Sequence, residues 1–234
     1  MDRPFYPEFI VSIIPRLLVW LPITLLVMAG TIALGSCLGF ALASARMSKR
    51  RVPRAAAGFY IMIMRCTPSV VLLFIVYYAL PRLVMAMTGI DINGMHKAVF
   101  VVITLSLLFA ANMGELMRGA YLSVRVEQRE AALSAGLSER QTFMRITAPQ
   151  AAVAALPNFC NALTALMKEG ALAWTIGLID MMGRGMLIIS GNYGAYGLET
   201  YIALASIYWA LTVIIERCFR ALEKKLSRGK RSIR

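Results

Sequence analysis

The sequence predicts an all-α integral membrane protein with five transmembrane helices and one cytoplasmic helix–turn–helix. Three observations carry this expectation. Of 234 residues 59% are hydrophobic, mean hydropathy is +0.68, and only 16% are charged, whereas a soluble domain carries about a quarter. The apolar residues form long blocks at about 17–45, 58–80, 98–117, 159–180 and 200–222, and a bilayer span needs roughly 20 such residues. The basic residues, which set a net charge of +13, gather between alternate blocks.

That distribution fixes the expected orientation. Arg46, Lys49, Arg50, Arg51 and Arg54 follow the first block, and Arg118, Arg125, Arg129, Arg140 and Arg145 lie between the third and fourth. Arg217, Arg220, Lys224, Lys225, Arg228, Lys230, Arg231 and Arg234 close the chain, while the other loops hold Lys97 and Arg184 and little else. Basic loops stay in the cytoplasm, so residues 46–56, 119–157 and 223–234 read as inside, and 1–16, 88–97 and 181–198 as outside. The N-terminus is then outside and the C-terminus inside. The charge is a topology signal rather than a nucleic-acid surface, and the basic tail also meets anionic lipid. The domain reading is an outer segment 1–16, a transmembrane domain 17–222 with a polar loop at 125–158, and a basic tail 223–234. No length remains for a soluble catalytic domain.

Taken in order, Phe5, Tyr6 and Phe9 suit the outer headgroup region. The first block is about twice the length of a signal-peptide core and its basic cluster follows it, so it reads as an uncleaved span despite Ala43-Ser44-Ala45. Gly35 and Gly39 form a G-x-x-x-G pair that admits a close neighbouring backbone. Arg65-Cys66-Thr67-Pro68 opens the second span, and Pro68 should bend the helix. Glu115 and Arg118 are three apart and share a helix face near the end of the third span. Glu127 to Ala135 has a helical pattern, Gly136 suits its C-cap, and Ser138 with Glu139 and Gln141 starts a second helix that Pro149 and Pro157 should end. Gly183, Gly185, Gly191, Gly194 and Gly197 make the link before the last span rich in glycine.

The inner loop carries the most specific signal. Glu130-Ala131-Ala132, three residues, Gly136, nine residues, Ile146, one residue, Pro149 resembles the signature loop of ABC importer permeases, with Ala148 in place of the usual Leu. Arg65, Thr67 and Pro68 resemble the R-G-T-P motif of the polar-amino-acid branch, with Cys66 replacing Gly, and Glu115, Arg118 and Gly119 resemble its E-I-x-R-G motif. Ile90-Asp91-Ile92-Asn93-Gly94 adds a fainter similarity to cystine permeases. The resemblance spans most of residues 17–222. It implies a permease subunit without catalytic residues or cofactor, paired with a second copy or a paralogue. An external solute-binding protein would feed it, and two ATPase subunits would dock on residues 125–158. The chain has no phosphate-binding G-x-x-x-x-G-K-[ST] loop, so ATP would be hydrolysed on those partners.

Lys168 and Glu169 sit near the middle of the fourth block, where ionisable groups are costly. Two readings stand: a structural ion pair within a dimer, or groups lining the substrate route. The family often has small hydroxyl residues just beyond, where this chain has Gly170 and Ala171. His96 reads as a surface residue. Cys37, Cys66, Cys160 and Cys218 lack metal-ligand spacing and read as small buried apolar side chains. A different class of function, an ion-gradient-driven secondary transporter or channel, would employ Glu115, Lys168 and Glu169 but leaves the inner loop unexplained. A scaffold for other membrane proteins would need no polar groups mid-span.

Overall fold

The computed structural model describes residues 5–227. The first four residues and residues 228–234 of the predicted basic tail lie outside the described part. The described chain is helical throughout, in the order α1 (Pro7–Leu18), α2 (Leu21–Arg46), α3 (Arg51–Cys66), α4 (Ser69–Thr88), α5 (Lys97–Leu122), α6 (Val126–Ser134), α7 (Glu139–Thr142), α8 (Ala148–Gly170), α9 (Met181–Gly191) and α10 (Gly197–Ser227). A π-helical turn at Phe143–Thr147 joins α7 to α8, and a 3-10 turn at Ala171–Ile176 follows α8. Four helices are long and apolar enough to cross a bilayer: α2, α4, α5 and α10. A fifth span arises if Glu139–Ile176 and α9, bent by 48° at their junction, count as one.

α5 is the axis of the bundle. In its apolar stretch 61% is buried, against 22–28% in α2, α4 and α10, which leaves those helices with apolar outer faces suited to lipid. Phe100, Val101, Leu105, Phe109 and Met113 of α5 form one core with Val27, Leu73, Val76, Leu163 and Leu166. The G-x-x-x-G pair finds its neighbour within the chain. A methyl group on Gly35 would reach Phe109 Cδ1 at 2.9 Å, and one on Gly39 would overlap Met113 Cβ. α2 and α5 are therefore closer than any larger side chain permits.

Four expectations need correction. The second span is shifted: Pro68 disfavours helical backbone at Thr67, which is extended at φ −90°, ψ 125°. The helix breaks instead of bending, so α4 crosses alone and α3 is a separate helix. Neither Pro149 nor Pro157 ends the second loop helix. The Ala148 N–H bonds five residues back to Phe143, and Gln150 Nε2 donates to the Ile146 carbonyl at 3.0 Å. This π turn seats a residue without an N–H in the first turn of α8.

The Gly-rich link at 181–198 holds α9. Asp180 caps α9 by accepting the Gly183 N–H at 2.9 Å, and the Thr24 hydroxyl donates to its other oxygen at 3.2 Å. A methyl group on Gly183 would overlap the Leu178 carbonyl, and one on Gly185 would reach Leu204 Cδ1 at 2.6 Å, so these glycines serve close packing. Of the cysteines, only Cys160 is buried in the single chain.

The N-terminal segment is an amphipathic helix laid on α9 and α10. Ile13 and Leu17 are fully buried against Met181, Ala203 and Leu204. Phe9, expected among lipid headgroups, stacks on Tyr196 at 3.9 Å, while Phe5 and Tyr6 are exposed. His96 is exposed and caps α5 by accepting the Ala98 N–H at 3.2 Å.

Candidate docking helices and translocation cavity

α6 ends in a Schellman arrangement. The Leu137 N–H donates to the Ala132 carbonyl at 3.1 Å and the Gly136 N–H to Leu133 at 3.0 Å. Gly136 has φ +86°, a left-handed backbone that glycine adopts without steric cost. α7 then opens with a capping box: Ser138 Oγ accepts the Gln141 N–H at 3.3 Å, and Gln141 Oε1 accepts the Ser138 N–H at 2.9 Å. Across the turn, Arg129 donates to Glu139 at 2.7 Å, and that carboxylate holds the guanidinium above its ordinary pKa. Gln150 Nε2 also donates to Gln128 Oε1. Two helices are thus fixed at one angle.

The six signature positions divide by exposure. Glu130, Ala131, Gly136 and Pro149 are exposed; Ala132 is buried and Ile146 half-buried. The first group is open at the surface, and the second is turned inward.

Glu115 is a hub at the α5 end nearest that loop. It accepts from Arg118 Nη2 at 2.8 Å, as the spacing implied, and also from Arg46 Nε at 3.1 Å. Arg46 was not foreseen, because its partner lies 69 residues away. Gly58 admits its guanidinium: a methyl group there would stand 3.0 Å from Arg46 Nη1. Gly119, which closes this motif, faces open space.

The break at Thr67-Pro68 opens a polar cavity of about 160 Å³ beside the middle of α5. Met64, Arg65, Thr67, Ser69, Leu108, Asn112 and Glu169 line it. The structure thus joins two separate sequence motifs, Arg65 and Thr67 on one side and Glu169 on the other. It leaves Lys168 out: that side chain is exposed and does not line the cavity. Among the described residues neither Lys168 nor Glu169 enters an ion pair within the chain. Asn112 and Ser69 escaped the sequence reading, although an amide inside the apolar block 98–117 is itself a signal.

Comparison with known proteins agrees with this architecture. The L-cystine transport system permease protein TcyL of Bacillus subtilis (strain 168) is 38% identical, covering 100% of this chain and 96% of that protein. The probable amino-acid permease protein YxeN of the same organism is 36% identical, over 96% and 97%. Among solved structures, an amino acid ABC transporter crystallised with histidines superposes with a TM-score of 0.81 at 25% identity, covering 95% of this chain and 100% of that one. The inward-facing MetNI methionine ABC transporter, at 17% identity and a TM-score of 0.67, shares the fold. Residues 35–228 match the binding-protein-dependent transport system inner membrane component, and the chain belongs to that family.

Proposed function

We propose that this chain is the permease subunit of an ATP-driven importer that carries a polar amino acid across the bacterial inner membrane, with L-cystine the first substrate to test. The supporting observation is full-length similarity to amino-acid permeases in a chain whose docking helices hold a defined geometry. A second copy or a paralogue completes the route, a solute-binding protein delivers substrate from outside, and ATP is hydrolysed on two separate subunits that dock on residues 125–158. Their closure would move that loop as a unit and rock the bundle between inward- and outward-facing states. The apolar faces of α2, α4 and α10 meet lipid or the second permease. The N-terminus is outside and the C-terminus cytoplasmic.

Two experiments test this reading. In the assembled importer, Gly136→Val strains the left-handed turn and Glu130→Ala removes an exposed polar group, and neither touches a span. Both variants should reach the membrane at wild-type abundance and lose substrate-stimulated ATP hydrolysis. Wild-type stimulation in both would leave the loop a mere connection. For orientation, a thiol at position 92 should label from outside and one at position 140 should not, in a background without the exposed native cysteines Cys37, Cys66 and Cys218. The reverse pattern inverts the topology.

A further inference from the structure

Between α2, α5 and the start of α8 runs an apolar groove of about 420 Å³. Ala43, Met113 and Ala120 line it and are buried, while Phe40, Met47 and Phe143 are exposed along it. Its walls on α2 and α5 belong to helices long and apolar enough to cross a bilayer. From Tyr121 to Met113 it runs roughly 12 Å along α5. The groove therefore lies at membrane depth, out of reach of a soluble subunit.

One end of this groove is basic. Met47 lines it, and Lys49, Arg50 and Arg51 follow directly in the chain. Tyr121 lines it too, and also borders a neighbouring cavity with Arg125, Arg129 and Glu127. The Tyr121 and Phe143 rings lie 6.3 Å apart, so both chain segments close the same end. Arg129 is held by Glu139, and Arg46 by Glu115. Lys49, Arg50, Arg51 and Arg125 are exposed and, among the described residues, enter no ion pair.

These two properties select the occupant. A second copy of this chain would cross the membrane in the same direction. Its own Lys49, Arg50 and Arg51 would arrive at the same depth, adding like charge. An apolar channel ending among unpaired cations fits an amphiphile with acyl chains and an anionic head. We propose that the groove binds an anionic phospholipid, an acyl chain lying along Phe40, Met117 and Ala152 and the phosphate among Arg50, Arg51 and Arg125. The lipid fills the gap between α2 and the helix that continues from the inner loop. This site depends on membrane insertion alone and not on the importer reading.

The test uses the assembled permease–ATPase complex in phosphatidylcholine nanodiscs containing phosphatidylglycerol with a diazirine on its acyl chain. Irradiation is followed by mapping of the labelled residues by mass spectrometry. Both leaflets carry the probe, so the result does not depend on which side the loop faces. Label should appear at Phe40, Met117 or Ala152. Unlabelled phosphatidylglycerol should displace it at least roughly fivefold better than phosphatidylcholine, the effect of about one basic contact. Label on exposed apolar residues elsewhere, such as Leu26 of α2 and Leu83 of α4, should show no such preference. Ala152→Trp should fill the groove and remove its label while the label elsewhere stays. Arg50→Gln combined with Arg51→Gln should keep the groove label but cut the preference to below about twofold, with Lys49 and Arg54 left to hold the topology. Wild-type competition decides the matter by itself if a variant fails to assemble. Equal displacement by both lipids means ordinary solvation and overturns the proposal. Absence of groove label overturns it too, and a disulfide between two copies of Ala152→Cys would then assign the groove to the second permease.

Discussion

Glycine does opposite work in two regions of this molecule. Along the α2–α5 seam, Gly35, Gly39 and Gly114 are ordinary helical residues chosen for what they lack: a methyl group on any of them meets the facing helix. In the α6–α7 pair, Gly136 has no atom near its missing methyl group and is chosen for its backbone, at φ +86°. The seam is specified by space and the turn by conformation. Damage to the first should cost stability, and damage to the second should cost geometry at a surface.

The sharpest way to break this contrast is Gly39→Val. Overpacking a seam where even a methyl group overlaps Met113 should cost about 1–3 kcal/mol or more. Membrane abundance and the thermal midpoint of the purified complex should fall together. Gly119→Ala is the matched control: it sits in open space within α5, and the change should be neutral or stabilising by up to about 1 kcal/mol. Similar midpoints for the two variants would refute the spatial account of the seam. Next in size is Glu115→Gln, which strips the shared carboxylate from the partly buried Arg46 and Arg118. A loss of roughly 1–2 kcal/mol is expected, read as a lower midpoint, and Arg46→Met should add little on top of it. Full additivity of those two changes would mean the hub is not one network. The smallest effect belongs to Arg129→Gln. Its exposed pair with Glu139 should leave the midpoint unmoved, and any loss of coupling it causes should shrink at high salt.

Much of this fold was legible because lipid imposes long uniform blocks and charge asymmetry. α2, α5 and α10 fall close to their predicted blocks for that reason. The turn chemistry at Gly136 and Ser138 was equally readable, since capping is local. What escaped were features decided by distant contacts. The helix α9 was not legible, because Gly183 and Gly185 carry no mark in sequence of the carbonyl and side chain pressed against them. Pro149 read as a terminator because the π turn that accommodates it has no composition of its own. Likewise the cavity joins residues 65, 112 and 169, which no periodicity relates. Lys168 and Glu169 were adjacent in sequence and therefore read together, yet neighbours on a helix point about 100° apart and only one reaches the cavity.

The unbroken run from Glu139 through the π turn to Gly170 carries one more implication. It is a single lever roughly 45–50 Å long at 1.5 Å per residue, with the α6–α7 turn at one end and Glu169 at the other. No hinge of loop residues interrupts it, so torque applied at Glu139 arrives at the cavity wall as rotation instead of being lost as slack. The π turn is one compliant joint in it, and Pro157 inside α8 is a second place where a backbone bond is missing. The π turn's wider hydrogen-bond register can take up a fraction of a turn, which lets the shaft twist without fracturing where Pro149 has already removed a bond. Energy spent outside the membrane would then reach mid-bilayer through the backbone of one helix.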